Sequence, residues 1–193
     1  INQVIGEAIA AARPRWRDEA LSRGVTIEIS TDLANVPPIR GTTSRFHNIL
    51  LNLIFNAVDA LPDGGQIRVS SQTIDDLICI EVSDNGTGMS EETRQDCLKP
   101  FFSTKAEKGT GLGLAMANNT ALSHSGRLEI KSSLGSGTAV RILLKRKALT
   151  SPLANSIDPE KHLSSDMRIL LVDDDEAVIK AHAAMLSSMG YSP

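Results

Sequence analysis

The segment 42–61 constrains this chain more than any other. Phe46, Ile49, Leu50, Leu53, Ala57, Ala60 and Leu61 recur at spacings of three and four, the signature of one apolar helix face, and Pro62-Asp63-Gly64-Gly65 ends the pattern. A second stripe runs beside it. Asn48, Asn52 and Asn56 stand at i, i+4 and i+8, with Asp59 three residues further on. Asparagine is a mediocre helix former, and a solvated helix face favours Lys and Glu, neither of which occurs between Arg45 and Asp59. Such a helix needs an apolar layer under one face and either water or a polar cleft beside the other. The amide oxygen of an asparagine is a hard donor suited to Mg²⁺, which binds through few protein oxygens.

The surrounding segments supply the layer. Residues 4–22 read as a helix through Ile5, Ile9, Ala12, Trp16 and Ala20, kinked or broken at Pro14. Residues 25–29 read as a short strand. Two alternating segments, 66–73 (Ile67, Val69) and 77–84 (Ile78, Ile80, Val82), flank an Asp75-Asp76 turn. The glycine-rich, polar stretch 85–113 reads as one long loop, and loops of that length are usually functional. A helix over 112–124 follows, then strands over 127–133 and 138–145, the second burying Val140, Ile142 and Leu144. Residues 148–166 have linker composition. Met167 opens an apolar strand that ends in Asp173-Asp174-Asp175, and a helical pattern then runs to Gly190. These last residues, 167–193, fall below the ~40 that a domain needs to fold unaided and read as a fragment.

Bulk properties exclude several classes. With 22% charged residues and 41% hydrophobic ones, the 193-residue chain has an ordinary globular composition. A net charge of −3 and 3% aromatics give neither the electrostatic footprint nor the stacking platforms of a nucleic-acid binder. No apolar run reaches the ~18–20 residues that span a bilayer. Cys79 and Cys97 lack CxxC spacing and read as free thiols of a reducing cytosol; the four histidines show no metal-ligand spacing. A chain opening on Ile1, without a signal peptide, reads as a piece of something longer.

Four motifs join the asparagine helix. Asp84-Asn85-Gly86-Thr87-Gly88-Met89 ends a strand. Alone it is a turn, but a buried carboxylate there would accept from the exocyclic amine of adenine. Guanine would instead oppose it with a carbonyl oxygen, costing ~1–3 kcal/mol or more. Gly109-Thr110-Gly111-Leu112-Gly113-Leu114 precedes a helix, where backbone N–H groups and the helix N-terminus favour phosphate. It is neither a Walker loop nor a Rossmann fingerprint. Pro100-Phe101-Phe102-Ser103-Thr104-Lys105 reads as an apolar anchor within the long loop, and Gly135-Ser136-Gly137-Thr138 as a hairpin turn.

In order and spacing, these five elements over residues 1–147 resemble the catalytic domain of histidine kinases, where they are the N, first glycine, F, second glycine and third glycine boxes. The wider superfamily includes the ATPases of gyrase, mismatch repair and heat-shock chaperones. The resemblance implies a two-layer α/β sandwich of the Bergerat type. Its mixed sheet of about five strands would have helices on one face, with the nucleotide held between helices and lid. It implies ATP and Mg²⁺ as cofactors, with Asn56 coordinating the metal and Asp84 binding adenine. Gly86 and Gly88 would close over the base. Gly109, Thr110, Gly111, Leu112 and Gly113 would form the phosphate-side hinge, and Thr138 would support the base through water. Lys105 would meet the terminal phosphate.

Asn52 stands where hydrolysing members carry a glutamate that activates water, and an amide cannot take that proton. Transfer to a protein histidine is therefore expected. A hydrolysing ATPase and an anti-sigma type serine kinase are disfavoured by Asn52, and intact motifs argue against a non-catalytic nucleotide-sensing module. None of His47, His124, His162 or His182 is followed by the acidic residue of the family's phosphoacceptor. The chain alone should not phosphorylate itself, and its partners would be the dimerisation and histidine-phosphotransfer helices of the parent chain. Ile169-Leu170-Leu171-Val172-Asp173-Asp174 resembles the start of a response-regulator receiver domain, with Asp173 and Asp174 as part of an incomplete Mg²⁺ site. A receiver in cis or a response regulator in trans would then be a further partner. A cytoplasmic location follows, with membrane anchoring of the parent left open.

Overall fold

The structure, a computed structural model, describes residues 1–39, 41–104 and 110–145, all within one unit of the chain, Ile1–Ala148. Its elements are α1 (Asn2–Arg13), a π-helical stretch (Pro14–Glu19), α2 (Ala20–Ser22), β1 (Ile27–Leu33), α3 (Thr43–Asp59), β2 (Gly65–Ile74), β3 (Leu77–Asp84), α4 (Glu91–Asp96), α5 (Gly113–Ser123), β4 (Arg127–Ser132) and β5 (Thr138–Lys145). The sheet order is β1-β2-β3-β5-β4. β1 pairs with β2 in parallel across the α3 crossover, and the other three pairings are antiparallel.

Alternation along each strand sorts the two faces. Ile67 and Val69 of β2, Ile78, Ile80 and Val82 of β3, and Val140, Ile142 and Leu144 of β5 share one core with α1, α3 and α5. Ion pairs occupy intervening positions, among them Arg68–Asp32, Arg141–Glu81 and Arg127–Glu129. The expected two-layer sandwich, with five strands in a mixed sheet, is the observed fold. Among the described residues no helix is long and apolar enough to cross a membrane.

Several boundaries differ from expectation for identifiable reasons. Of the kink or break expected at Pro14, the chain shows no break but a change of helix type. Proline removes a helical donor and crowds the carbonyl four residues back, and the chain accommodates it by widening into a π-turn. β1 runs to Leu33 rather than stopping at 29, because its polar outward residues Glu28, Ser30 and Asp32 sit on an edge strand, where periodicity is diluted. The stretch 85–113 is not all loop. Ser90 caps α4, its Oγ accepting from Thr93 N–H at 3.1 Å. On α3, Ile54 and Val58 join the buried stripe, whereas Ala60 is only half-buried.

Candidate functional site

The site begins at the end of β3. Asp84 turns the chain on itself: its Oδ1 accepts from Gly86 N–H at 2.9 Å and from Thr138 N–H, on β5, at 3.3 Å. These two bonds consume one carboxylate oxygen and leave Oδ2 without a hydrogen-bond partner among the described residues. Burial pushes the Asp84 carboxyl above its ordinary range, against the two N–H donors, which favour the ionised form.

The loop after Asp84 is clamped between α3 and the β4–β5 turn. Thr87 N–H donates to the Ala60 carbonyl at the C-terminal end of α3 (2.9 Å), and Gly135 N–H donates to the Thr87 carbonyl (2.8 Å). A side chain at Gly86 would strike that Ala60 carbonyl, so the loop approaches the helix as only glycine permits. Ser132 ties the other side. Its Oγ accepts from Met89 N–H (2.8 Å), donates to the Gly137 carbonyl (3.0 Å) and lies 2.9 Å from Thr138 Oγ1. Asn85 Oδ1 accepts from Gln66 N–H at 2.8 Å, pinning the loop to β2.

Opposite the sheet, Asn52 of α3 faces the start of α5, where Gly113 packs on its side chain. Between these walls lies a cavity of about 530 Å³, a size within the range of small-molecule sites. It brings together Asn52, Asn56, Asp84, Gly88, Thr110, Gly111, Gly113 and Thr138, eight of the residues singled out in the sequence. Asn48 and Gly86 are not among its lining, and neither is Leu112, the N-cap of α5. Lys105, Gly109, Asp173 and Asp174 lie outside the described residues, as do the boundary at 147–148, the linker 148–166 and the segment 167–193.

The phenylalanine pair divides. Phe102 lines the cavity, while Phe101 is 78% exposed with φ +66°, its N–H bonded to the Gly111 carbonyl at 3.1 Å. Sequence reasoning missed Arg15, Phe55, Thr93 and Cys97 on the same walls. Cys97 is a free thiol, raised by burial, and so stays protonated rather than nucleophilic. Arg15 reaches the cavity from the π-turn, and nothing in the sequence distinguishes it from Arg13 or Arg17.

Among the described residues no cluster of three His, Cys, Asp or Glu side chains is arranged to hold a metal. Asn52 and Asn56 do line the cavity. That donor set suits a cation held by a few protein oxygens and completed by ligand and water oxygens, the usual habit of Mg²⁺.

Comparisons with known proteins agree with this geometry. The sequence model of the family described as histidine kinase-, DNA gyrase B-, and HSP90-like ATPase matches residues 41–148. The chain is 31% identical to sensor kinase CckA of Brucella abortus (strain 2308), over 88% of this chain and 20% of that protein. It is 36% identical to sporulation kinase C of Bacillus subtilis (strain 168), over 57% and 26% respectively. The chain thus spans about a fifth to a quarter of the length of these two relatives. Among solved structures, the mycobacterial sensor histidine kinase MprB superposes with a TM-score of 0.62 at 27% identity, covering 75% of this chain and 93% of that one. The chain belongs to the histidine kinase-, DNA gyrase B- and HSP90-like ATPase family, as an ATP-binding catalytic domain of the sensor histidine kinase type.

Proposed function

We propose that this chain binds Mg·ATP in the cavity between α3, β3 and α5 and presents the γ-phosphate to a histidine on the dimerisation helices of its parent protein. The observation that carries this reading is the Asp84 carboxylate. One oxygen is consumed by the backbone, and the residue lines the same cavity as Asn52 and Asn56. A fixed acceptor of this kind pairs with the 6-amino group of adenine, whereas guanine held in the same pose presents its O6 carbonyl there.

In this reading Asp84 holds adenine, Thr138 supports it through water, and Gly86 and Gly88 let the backbone close over the ring. Asn56 is the metal ligand, and Mg²⁺ neutralises charge on the phosphates when bound. Thr110, Gly111, Leu112 and Gly113, with Gly109, meet the phosphates at the start of α5, where unsatisfied N–H groups and the helix dipole favour anions. Lys105 meets the terminal phosphate. Catalysis is then mainly positioning and charge neutralisation. Asn52 leaves water unactivated, because its amide takes no proton near neutrality.

Residues 1–147 are the catalytic domain in this proposal and 148–166 a linker. Residues 167–193 open a receiver domain, with Asp173 and Asp174 as the first members of its Mg²⁺ site. The phosphoryl group would pass to that receiver or to a separate response regulator, in the cytoplasm. The test is incubation of the chain with γ-labelled ATP and Mg²⁺, alone and with the parent's dimerisation helices. Acid-labile phosphohistidine on the helices, with negligible free phosphate from the chain alone, is expected. Rapid phosphate release by the chain alone would make it a hydrolase instead.

A further inference from the structure

The described lining of the cavity contains one cationic side chain, Arg15, against two carboxylates, Asp59 and Asp84. A nucleotide polyphosphate brings several negative charges into this space. Arg15 comes from the π-turn Pro14–Glu19, outside the residues 41–148 that match the family. π-turns recur at functional sites, where they re-aim side chains from an otherwise regular helix. Here Trp16 packs against the core while its neighbour Arg15 reaches the cavity.

Two contacts hold the guanidinium in place. Its Nη2 donates to Asp59 Oδ1 at 2.6 Å, and its central carbon lies 4.8 Å from the centroid of the Phe55 ring. Both partners lie on α3 within three residues of Asn56. A planar fork fixed by a carboxylate and a ring face loses little freedom when it gains another ligand, and the ion pair leaves donors on its other nitrogens.

The position along α3 says which part of a nucleotide it meets. The Ala60 end of the helix receives Thr87 N–H from the loop after Asp84, and Asn52 packs against Gly113 at the other end of the site. Asp59 adjoins Ala60, so the ion pair sits toward the Asp84 end of the asparagine stripe. We infer that Arg15 is a nucleotide-binding residue contributed from outside the family's matched region, contacting the phosphate nearest the ribose. The inference rests on the proposed ATP site. It assigns to the first helical segment a role beyond packing.

The test is titration of ATP, ADP and adenosine, adenosine by competition, into the wild-type chain and the Arg15→Met and Arg15→Lys variants. A lost charge-assisted hydrogen bond corresponds to about tenfold or more in affinity. Arg15→Met should therefore weaken ATP and ADP by about tenfold or more and leave adenosine unchanged. Arg15→Lys should recover part of the loss, since it keeps the charge without the fork. The salt dependence of ADP binding should flatten in Arg15→Met. Weakening of all three ligands alike would show a strut between α1 and α3 and overturn the inference, as would no change in any. Loss confined to ATP would move the contact away from the ribose-proximal phosphate and overturn the assignment. If Arg15→Met does not fold, Arg15→Lys decides by the same comparison of ADP with adenosine. Failure of the wild-type chain to bind any of the three would defeat the ATP site itself, and with it this inference.

Discussion

At the scale of single residues, Asp84 shows function set against stability. Its carboxyl is raised by burial, so the folded chain holds that proton to higher pH than the unfolded chain does. The stabilisation it contributes is present at acid pH and is lost as pH rises through the folded value. Nucleotide binding at the proposed site needs the opposite, an ionised acceptor. Asp84→Asn should thus leave the unliganded melting temperature equal or higher, since the amide oxygen can still receive Gly86 and Thr138 N–H, while abolishing measurable ATP binding. A large drop in melting temperature would contradict this. ATP affinity of the wild type should also fall on acidification at a pH above that of an ordinary carboxylate, checked by titration across the acid range. A flat profile would count against the role of Asp84. Asn52, Asn56, Asp84 and Thr138 were legible because each stands in a motif whose spacing survives in one dimension. Arg15 was not: it lies 41 residues before Asn56 in a run of alternating arginines, and only the packing of α1 on α3 selects it.

At the scale of elements, structure is legible in the sequence where a long period exists and faint where a turn or cap decides. α3 and β3 were legible from their apolar periods, and the β4–β5 hairpin from its glycines. α4 was hidden because six residues carry no period; its evidence is the cap at Ser90. Ser90→Ala should cost ~1 kcal/mol if α4 is coupled to the global fold, read as a shifted denaturation midpoint. No shift would mean that α4 unfolds on its own. Ser132 bridges the loop after β3 to the start of β5, and its hydroxyl meets Met89 N–H, the Gly137 carbonyl and Thr138. Ser132→Ala should leave Met89 N–H unpartnered and weaken ATP binding severalfold by loosening the Asp84 loop. Unchanged affinity would show that the loop is held by Thr87 and Gly135 instead.

At the scale of the whole molecule, stability resides in the layer between helices and sheet, and the proposed binding site in the polar seam beside it. Ile54 is fully buried at the centre of α3, and Ile54→Ala should cost ~2–5 kcal/mol in denaturant unfolding. The Arg68–Asp32 pair is well exposed on both sides, and Arg68→Ala should cost ~1 kcal/mol or less. The reverse ranking would place the stabilising contacts on the wrong face of the sheet. The seam between α3, β3 and α5 is proposed as an adenine-nucleotide site read by Asp84. Calorimetric titration of Mg·ATP and Mg·GTP into the wild-type chain and Asp84→Asn tests it most directly. Saturable ATP binding, GTP weaker by at least about tenfold, and loss of ATP binding in the variant are expected. Equal binding of ATP and GTP, or undiminished ATP binding in a folded Asp84→Asn chain, would contradict it.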